Sequence, residues 1–195
     1  MEWFREAGLK LKPKRCKFVQ SEVQYLGHIV SINGIRTDLK NLEAVKQYPL
    51  PTDLETLCSY LGLGAYYRWF VPGFFQVVAP LYALTKYEAL FWAPECQAVF
   101  KELKHLLTSS PVLVYPDFGK PFTFEMSGGG LGAVLSQCQS DNSVRPIAYV
   151  SRLLQPHENY SITELEGLCM VWAAKHFRLY LYGHPCKLYM DNEAL

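Results

Sequence analysis

The densest group of chemically competent side chains lies at the amino end. Arg5, Lys10, Lys12, Lys14, Arg15 and Lys17 stand there against only Glu2 and Glu6. That local excess of +4 leaves −3 for the remainder, because the whole chain sums to +1. Clustered cations of this kind neutralise phosphates without reading sequence, which makes the segment a candidate nucleic-acid contact; a solvated charged edge gives the same pattern. A second candidate, Gly128-Gly129-Gly130-Leu131-Gly132, has the glycine density of a phosphate-cradling loop. It runs into strand-like Ala133-Val134-Leu135 instead of a helix start, so a hairpin turn is the better reading. His28, His105, His157, His176 and His184 show no zinc-ligand spacing. The six cysteines, at 16, 58, 96, 138, 169 and 186, include no Cys-x-x-Cys pair. They read as separate small apolar side chains in a reducing compartment, cytoplasmic or nuclear.

Composition limits the classes that remain. With 195 residues, 50% of them hydrophobic and only 19% charged, the chain can bury a real core and is not of the disordered type. It contains no uncharged apolar run of about 18 residues, so no membrane-spanning helix is expected, and the amino end lacks a secretory core.

The elements that must position these groups follow from periodicity. Phe18 to Ile32 reads as a hairpin, closed by turn residues Ser31-Ile32-Asn33-Gly34. Leu39, Leu42 and Val45 recur at helical spacing. Thr52-Asp53-Leu54-Glu55 reads as a capping box opening a helix with the stripe Leu54, Leu57, Cys58, Leu61 and Ala65. Val71-Pro72-Gly73 ends it, and a third helix, broken by Pro80, runs to about Lys86. A fourth starts at Pro94, carries Cys96, Val99, Phe100, Leu103, Leu106 and Leu107, and stops at Ser109-Ser110-Pro111. Phe122–Glu125, Leu131–Gln137 and Pro146–Ser151 read as three strands. Ser161-Ile162-Thr163-Glu164 caps a long helix, and Cys186–Met190 reads as a fourth strand. The fold class is therefore α+β or α/β, a hairpin and a helical region followed by a mixed sheet with a flanking helix.

Several motifs, in order, give the chain a family resemblance. They include Gly8-Leu9-Lys10-Leu11-Lys12-Pro13-Lys14-Arg15-Cys16, Tyr25-Leu26-Gly27-His28, Tyr66-Tyr67-Arg68-Trp69-Phe70-Val71-Pro72-Gly73-Phe74 and Pro111-Val112-Leu113. Gly130-Leu131-Gly132-Ala133-Val134-Leu135-Ser136-Gln137, Thr163-Glu164-Leu165-Glu166 and Phe177-Arg178-Leu179-Tyr180-Leu181-Tyr182-Gly183 complete the series. Together they resemble the Pol polyprotein of gypsy-type LTR retrotransposons. The resemblance implies a map: 1–35 the end of the reverse transcriptase palm, 36–88 its helical thumb, 89–120 a connecting helix and linker, and 121–195 a ribonuclease H-like domain truncated at its carboxyl end. Such a domain would expose an unpaired sheet edge.

The resemblance also implies an activity, RNA-directed DNA synthesis and hydrolysis of RNA in RNA–DNA hybrids, with Mg²⁺ or Mn²⁺ as cofactor. The expected partners are an RNA–DNA hybrid or template–primer duplex and the remainder of the Pol polyprotein, with no membrane. The implied nucleic-acid contacts are Lys10, Lys12, Lys14, Arg15, Tyr25, Gly27, His28, Tyr67 and Arg68. Packing inside the thumb is the other reading for Tyr67 and its neighbours Tyr66 and Trp69. The polymerase aspartates belong upstream of residue 1, so polymerisation by this chain alone is not expected. For ribonuclease H chemistry, carboxylates hold two cations about 4 Å apart across the scissile phosphate. Glu166 and Asp191 match two of the family's four positions, as catalytic residues and metal ligands. Where the family has a Thr-Asp-Ala-Ser run, this chain reads Phe124-Glu125-Met126-Ser127-Gly128-Gly129-Gly130, without the aspartate. Glu125 is the nearest carboxylate, and a shift of one residue along a strand would aim it at the other face. The fourth carboxylate would fall beyond Leu195. The expectation is a catalytically inactive member, or a domesticated or pseudogene-derived module that binds nucleic acid or protein.

Overall fold

A computed structural model describes residues 2–10, 12, 19–87, 92–127 and 131–189. After a short amino-terminal helix α1 (Glu2–Glu6), three strands form an antiparallel meander: β1 (Glu22–Tyr25), β2 (His28–Ser31) and β3 (Gly34–Thr37). Tyr25 pairs with His28 and Ser31 with Gly34, so both turns are two-residue loops. In the first, Leu26 and Gly27 both take positive φ, +46° and +77°, the requirement of a twist-matched hairpin turn. The expected hairpin is thus part of a three-stranded sheet. The third strand was not legible because Gly34, read as a turn residue, starts it. Gly34 sits at φ +128°, and a Cβ there would stand 2.1 Å from the Leu113 carbonyl oxygen. Glycine is what lets β3 come that close.

The helical unit follows: α2 (Leu39–Gln47), α3 (Leu54–Tyr66), a 3-10 turn at Arg68–Phe70, α4 (Phe74–Leu84) and α5 (Pro94–Thr108). The cap of α3 lies one residue later than the sequence motif suggested. The Asp53 carboxylate accepts from Thr56 N at 2.8 Å, and Thr56 Oγ1 accepts from Asp53 N at 3.3 Å. A carboxylate at the N-cap also meets the positive end of the helix, which favours Asp53 over Thr52. The buried face of α3 is Leu57, Tyr60, Leu61 and Gly64, while Cys58 is exposed, so the stripe is rotated from the expected one. Nor does Pro80 break α4, which continues to Leu84. Phe74, Val78 and Leu81 are fully buried on one face, and their packing outweighs the single backbone donor that proline lacks.

Helix α5, within the expected connecting segment, packs in this core. Its Phe100, Leu103 and Leu107 pack with Tyr60, Phe74 and Leu81, and Tyr60 donates its phenol to the Phe100 carbonyl at 3.2 Å. Desolvation in that setting pushes the Tyr60 phenol far above its ordinary value. Lys104 on α5 donates to the Lys46 carbonyl at 3.0 Å and to that of Tyr48, satisfying the carboxyl end of α2.

The second core lies under a four-stranded sheet, β4 (Phe122–Ser127), β5 (Leu131–Cys138), β6 (Val144–Arg152) and β7 (Cys186–Tyr189), in the order β6-β5-β4-β7. β7 runs parallel to β4, and the other pairs are antiparallel. Helix α6 (Ile162–His176) covers one face, followed after Phe177 by the short helix α7 (Arg178–Leu181). The Ser161–Glu164 capping box is present. Residues 113 and 114 join the two units. Leu113 exchanges hydrogen bonds with Ile35 at 2.8 and 2.9 Å, and Val114 N donates to the Pro146 carbonyl at 2.9 Å. One neighbour thus extends the first sheet and the other packs in the second core.

Candidate nucleic-acid interface and carboxylate positions

The β1–β2 turn leans on the helical unit through an aromatic cage. The His28 ring stacks between Tyr66 and Phe70, each at 5.4 Å, and meets Tyr67 edge-on at 5.6 Å. The Gly27 carbonyl accepts from Asp38 N at 3.1 Å and from the Tyr67 hydroxyl at 3.4 Å. Asn41 Nδ2 donates to the Tyr67 hydroxyl oxygen at 2.9 Å, and Tyr66 donates to the Leu26 carbonyl. With its backbone held from behind, the tip presents Tyr25, 64% exposed, and Leu26, 68% exposed, to solvent. Burial lowers the His28 pKa, and its Nδ1 is buried without a hydrogen-bond partner, so the ring serves as a neutral stacking surface.

This geometry sorts the expected nucleic-acid contacts. Tyr25 is free to meet a ligand, and Lys10 and Lys12 are exposed. Lys14 and Arg15 lie outside the described residues. Tyr67 is only 2% exposed, which corrects the reading that it touches nucleic acid: its hydroxyl is spent on Gly27 and Asn41. Gly27 and His28 likewise face the helical unit and act by holding the tip. Arg68 is exposed but points elsewhere, toward the four-stranded sheet, with its guanidinium 5.4 Å from the Trp69 ring and 6.0 Å from that of Phe75.

The carboxylates divide between two faces. On β4, Phe122, Phe124 and Met126 are buried in the core beneath α6, and Phe124 meets Phe177 edge-on at 5.8 Å. Glu125, between them, is exposed on the opposite face, where it lines a cavity with Pro72, Gly73 and Tyr149. Its charge adds to the burial that raises the Tyr149 phenol pKa. Strand alternation therefore places Glu125 on the face away from α6, as a shift along the strand implies. Glu166 lies near the start of α6, and its Oε2 is buried with no hydrogen-bond partner among the described residues. An orphaned acceptor of this kind is what a cation would satisfy. Asp191 lies outside the described residues. Among the described residues no three His, Cys, Asp or Glu side chains gather around one point. The described donors alone do not make up the two-ion centre that the chemistry requires.

Near the same helix, Arg152 grips Glu158 with both guanidinium arms at 2.6 and 2.7 Å, and Gln155 N adds a third bond at 2.7 Å. These bonds hold the Glu158 carboxyl down to a pKa of about 2.

One grouping had no sequence signal. Arg68, Trp69 and Phe75 from the helical unit face Tyr149, Ser151, Arg152, Trp172 and His176 from the sheet unit across a cleft of about 320 Å³. The first and last of these are more than a hundred residues apart, so no local pattern brings them together.

The meander caged by helices and the sheet of order β6-β5-β4-β7 with its helix together have the fold of a reverse transcriptase with an RNase H-like domain, as the matches to known proteins show. Residues 92–188 match the family described as the RNase H-like domain found in reverse transcriptase. That match takes in α5, which packs with the helical unit. The chain is 37% identical over 195 residues to the retrovirus-related Pol polyprotein from transposon 297 of Drosophila melanogaster, covering 97% of this chain and 18% of that protein. It is 33% identical over 207 residues to the Pol polyprotein from transposon gypsy of the same organism, covering 97% of this chain and 20% of that protein. In solved structures, the foamy viral protease-reverse transcriptase dRH in complex with double-stranded DNA superposes with a TM-score of 0.80 at 23% identity, over 98% of this chain and 34% of that one. Over nearly its whole length the chain is therefore similar to retrotransposon Pol polyproteins, and residues 92–188 are an RNase H-like domain of the reverse transcriptase kind. It spans about a fifth of the length of the curated relatives it matches.

Proposed function

We propose that this chain is the palm-end, thumb and RNase H-like segment of a retrotransposon Pol, and that it holds a template–primer duplex or RNA–DNA hybrid without cleaving it. The observation that carries the binding half is the caged turn. Three aromatic rings and the Gly27 carbonyl hold the Tyr25-Leu26 tip outward, with the exposed Lys10 and Lys12 preceding it in the chain. Contacts of this sort go to backbone phosphate and sugar, so affinity depends on salt and little on sequence. The observation behind the loss of cleavage is on β4, where the family aspartate is missing and Glu125 faces away from Glu166. The family's divalent cations supply water activation and charge stabilisation, each worth several kcal/mol of barrier.

The test uses a labelled RNA annealed to DNA. The hybrid should bind at low ionic strength and dissociate steeply as salt rises, with the RNA strand intact after prolonged incubation in Mg²⁺ or Mn²⁺. Cleavage that disappears in Glu166→Ala would overturn the inactive reading. Absence of binding at low salt would overturn the duplex reading and leave a protein-binding module.

A further inference from the structure

The cleft between the helical unit and the sheet has a chemical character that the duplex reading does not use. It holds two guanidiniums, Arg68 and Arg152, and among the described residues no carboxylate lines it. Arg152 is engaged by Glu158, whereas Arg68 has no ion pair among the described residues. The Arg68 guanidinium lies over two rings, Trp69 and Phe75. A guanidinium packed through its face keeps its N–H donors in the plane, where they can fork onto a phosphate.

The rest of the wall is aromatic. His176 lies 5.4 Å from Trp69 and 5.7 Å from Trp172, joining the two units through tilted rings. Burial and the nearby Arg68 lower the His176 pKa, so it is a neutral ring at pH 7. Arg152 sits 5.7 Å from the Trp172 ring. Ser151 Oγ accepts from Phe75 N at 3.1 Å, which leaves its own hydrogen available to donate. Such a wall rejects a cation, because two guanidiniums line it. It also disfavours a purely apolar ligand, which would cover Arg68 and leave its donors unpaired. A planar ring joined to an anion satisfies both parts. Stacking platforms combined with arginine are the physical basis of sequence-independent binding to unpaired bases.

We propose that this cleft takes one nucleotide, its base against the Trp69–His176–Trp172 wall and its phosphate on Arg68. A cavity of about 320 Å³ is of the size that small ligands occupy. The nucleotide comes either free or as one unit of an unpaired strand, and the site is separate from the caged turn that faces a duplex.

Intrinsic tryptophan fluorescence tests this, with dTMP and a twelve-residue oligo(dT) as probes. Saturable quenching by either probe is the expected result. Oligo(dT) alone indicates a strand, and equal response to dTMP indicates a free nucleotide. Arg68→Gln should weaken binding at least tenfold, and Arg68→Lys, which keeps the charge but loses the fork, should fall between. Trp172→Leu should weaken it about fivefold or more, as expected for the loss of one stacking contact. A matched melting curve for Arg68→Gln confirms that it folds. Hybrid binding by Arg68→Gln should stay within twofold of the unmodified chain, which separates this site from the duplex surface. The proposal is overturned if neither probe quenches at low salt, or if folded Arg68→Gln and Trp172→Leu bind like the unmodified chain, even where hybrid binding persists.

Discussion

The Tyr67 hydroxyl donates to the Gly27 carbonyl oxygen at 3.4 Å, joining the first hairpin turn to the start of the 3-10 turn forty residues later. The same hydroxyl accepts from Asn41 at 2.9 Å, so three separate chain segments meet at one oxygen atom. A residue that resembles a nucleic-acid contact in the sequence is in fact a fastener, and the exposed tip depends on it.

Tyr67→Phe should therefore cost about 1 kcal/mol, the usual worth of such a bond, while leaving the ring packed. Gly27→Ala should cost about 1–2 kcal/mol through its left-handed backbone alone. Its new Cβ would also come within 2.9 Å of both Asn41 Nδ2 and the Tyr67 hydroxyl. Denaturant midpoints for both variants check this, with Gly27→Ala the more destabilised.

The caged His28 gives a pH dependence of defined sign. Burial lowers its pKa below 6.5, so the folded chain binds fewer protons here than the unfolded one. Its contribution is fully present above pH 6.5 and is lost as the pH falls below that value. His28→Phe keeps a stacked ring and cannot titrate. Its melting temperature should therefore drop less than that of the unmodified chain between pH 7 and pH 5.

Glu158 should act at lower pH. Its carboxyl falls from 4.5 to about 2 in the folded chain, chiefly through Arg152 and then through Gln155 N. The stabilisation is present above about 4.5 and disappears as the pH drops toward 2. Replacing Glu158 with Gln should lower the melting temperature at pH 7 and flatten the acid limb, which thermal melts across this range would record.

Gln137 is fully buried on β5, and its amide clamps the loop before β4. It accepts from Asp117 N at 2.9 Å and donates to the carbonyls of Asp117 and Lys120 at 2.8 and 3.1 Å. Gln137→Leu fills the volume but strips three backbone groups of their partner. A loss of about 3 kcal/mol is expected. Hydrogen exchange should show the Asp117 amide deprotected while the α5 amides are unchanged.

Much of this organisation was legible in the sequence. The Ser161–Glu164 cap, the start of α5 at Pro94 and the strands from Phe122, Leu131 and Cys186 follow from local rules. Each depends on neighbours within a few positions, where side-chain period, caps and proline act directly. The ordered motifs likewise pointed to gypsy-type Pol polyproteins, to which the chain is similar along nearly its whole length.

Other features depend on what a face meets. Periodicity groups Leu54 with Leu57 and Leu61, yet only packing against α4 and α5 buries Tyr60 and leaves Cys58 in solvent. Alternation along β4 states that Glu125 opposes Phe124, and only the position of α6 makes Glu125 the residue excluded from Glu166's side. Tyr67 and Arg68 are adjacent in sequence, but one is buried against Gly27 and the other opens onto His176 and Trp172. The separation of Glu125 from Glu166 and the cleft between the two units are long-range arrangements, fixed when two separately cored units meet through Leu113 and Val114. Local rules and ordered motifs were enough for most elements and for the family resemblance; which side chains face one another was settled by contacts between residues far apart in the chain.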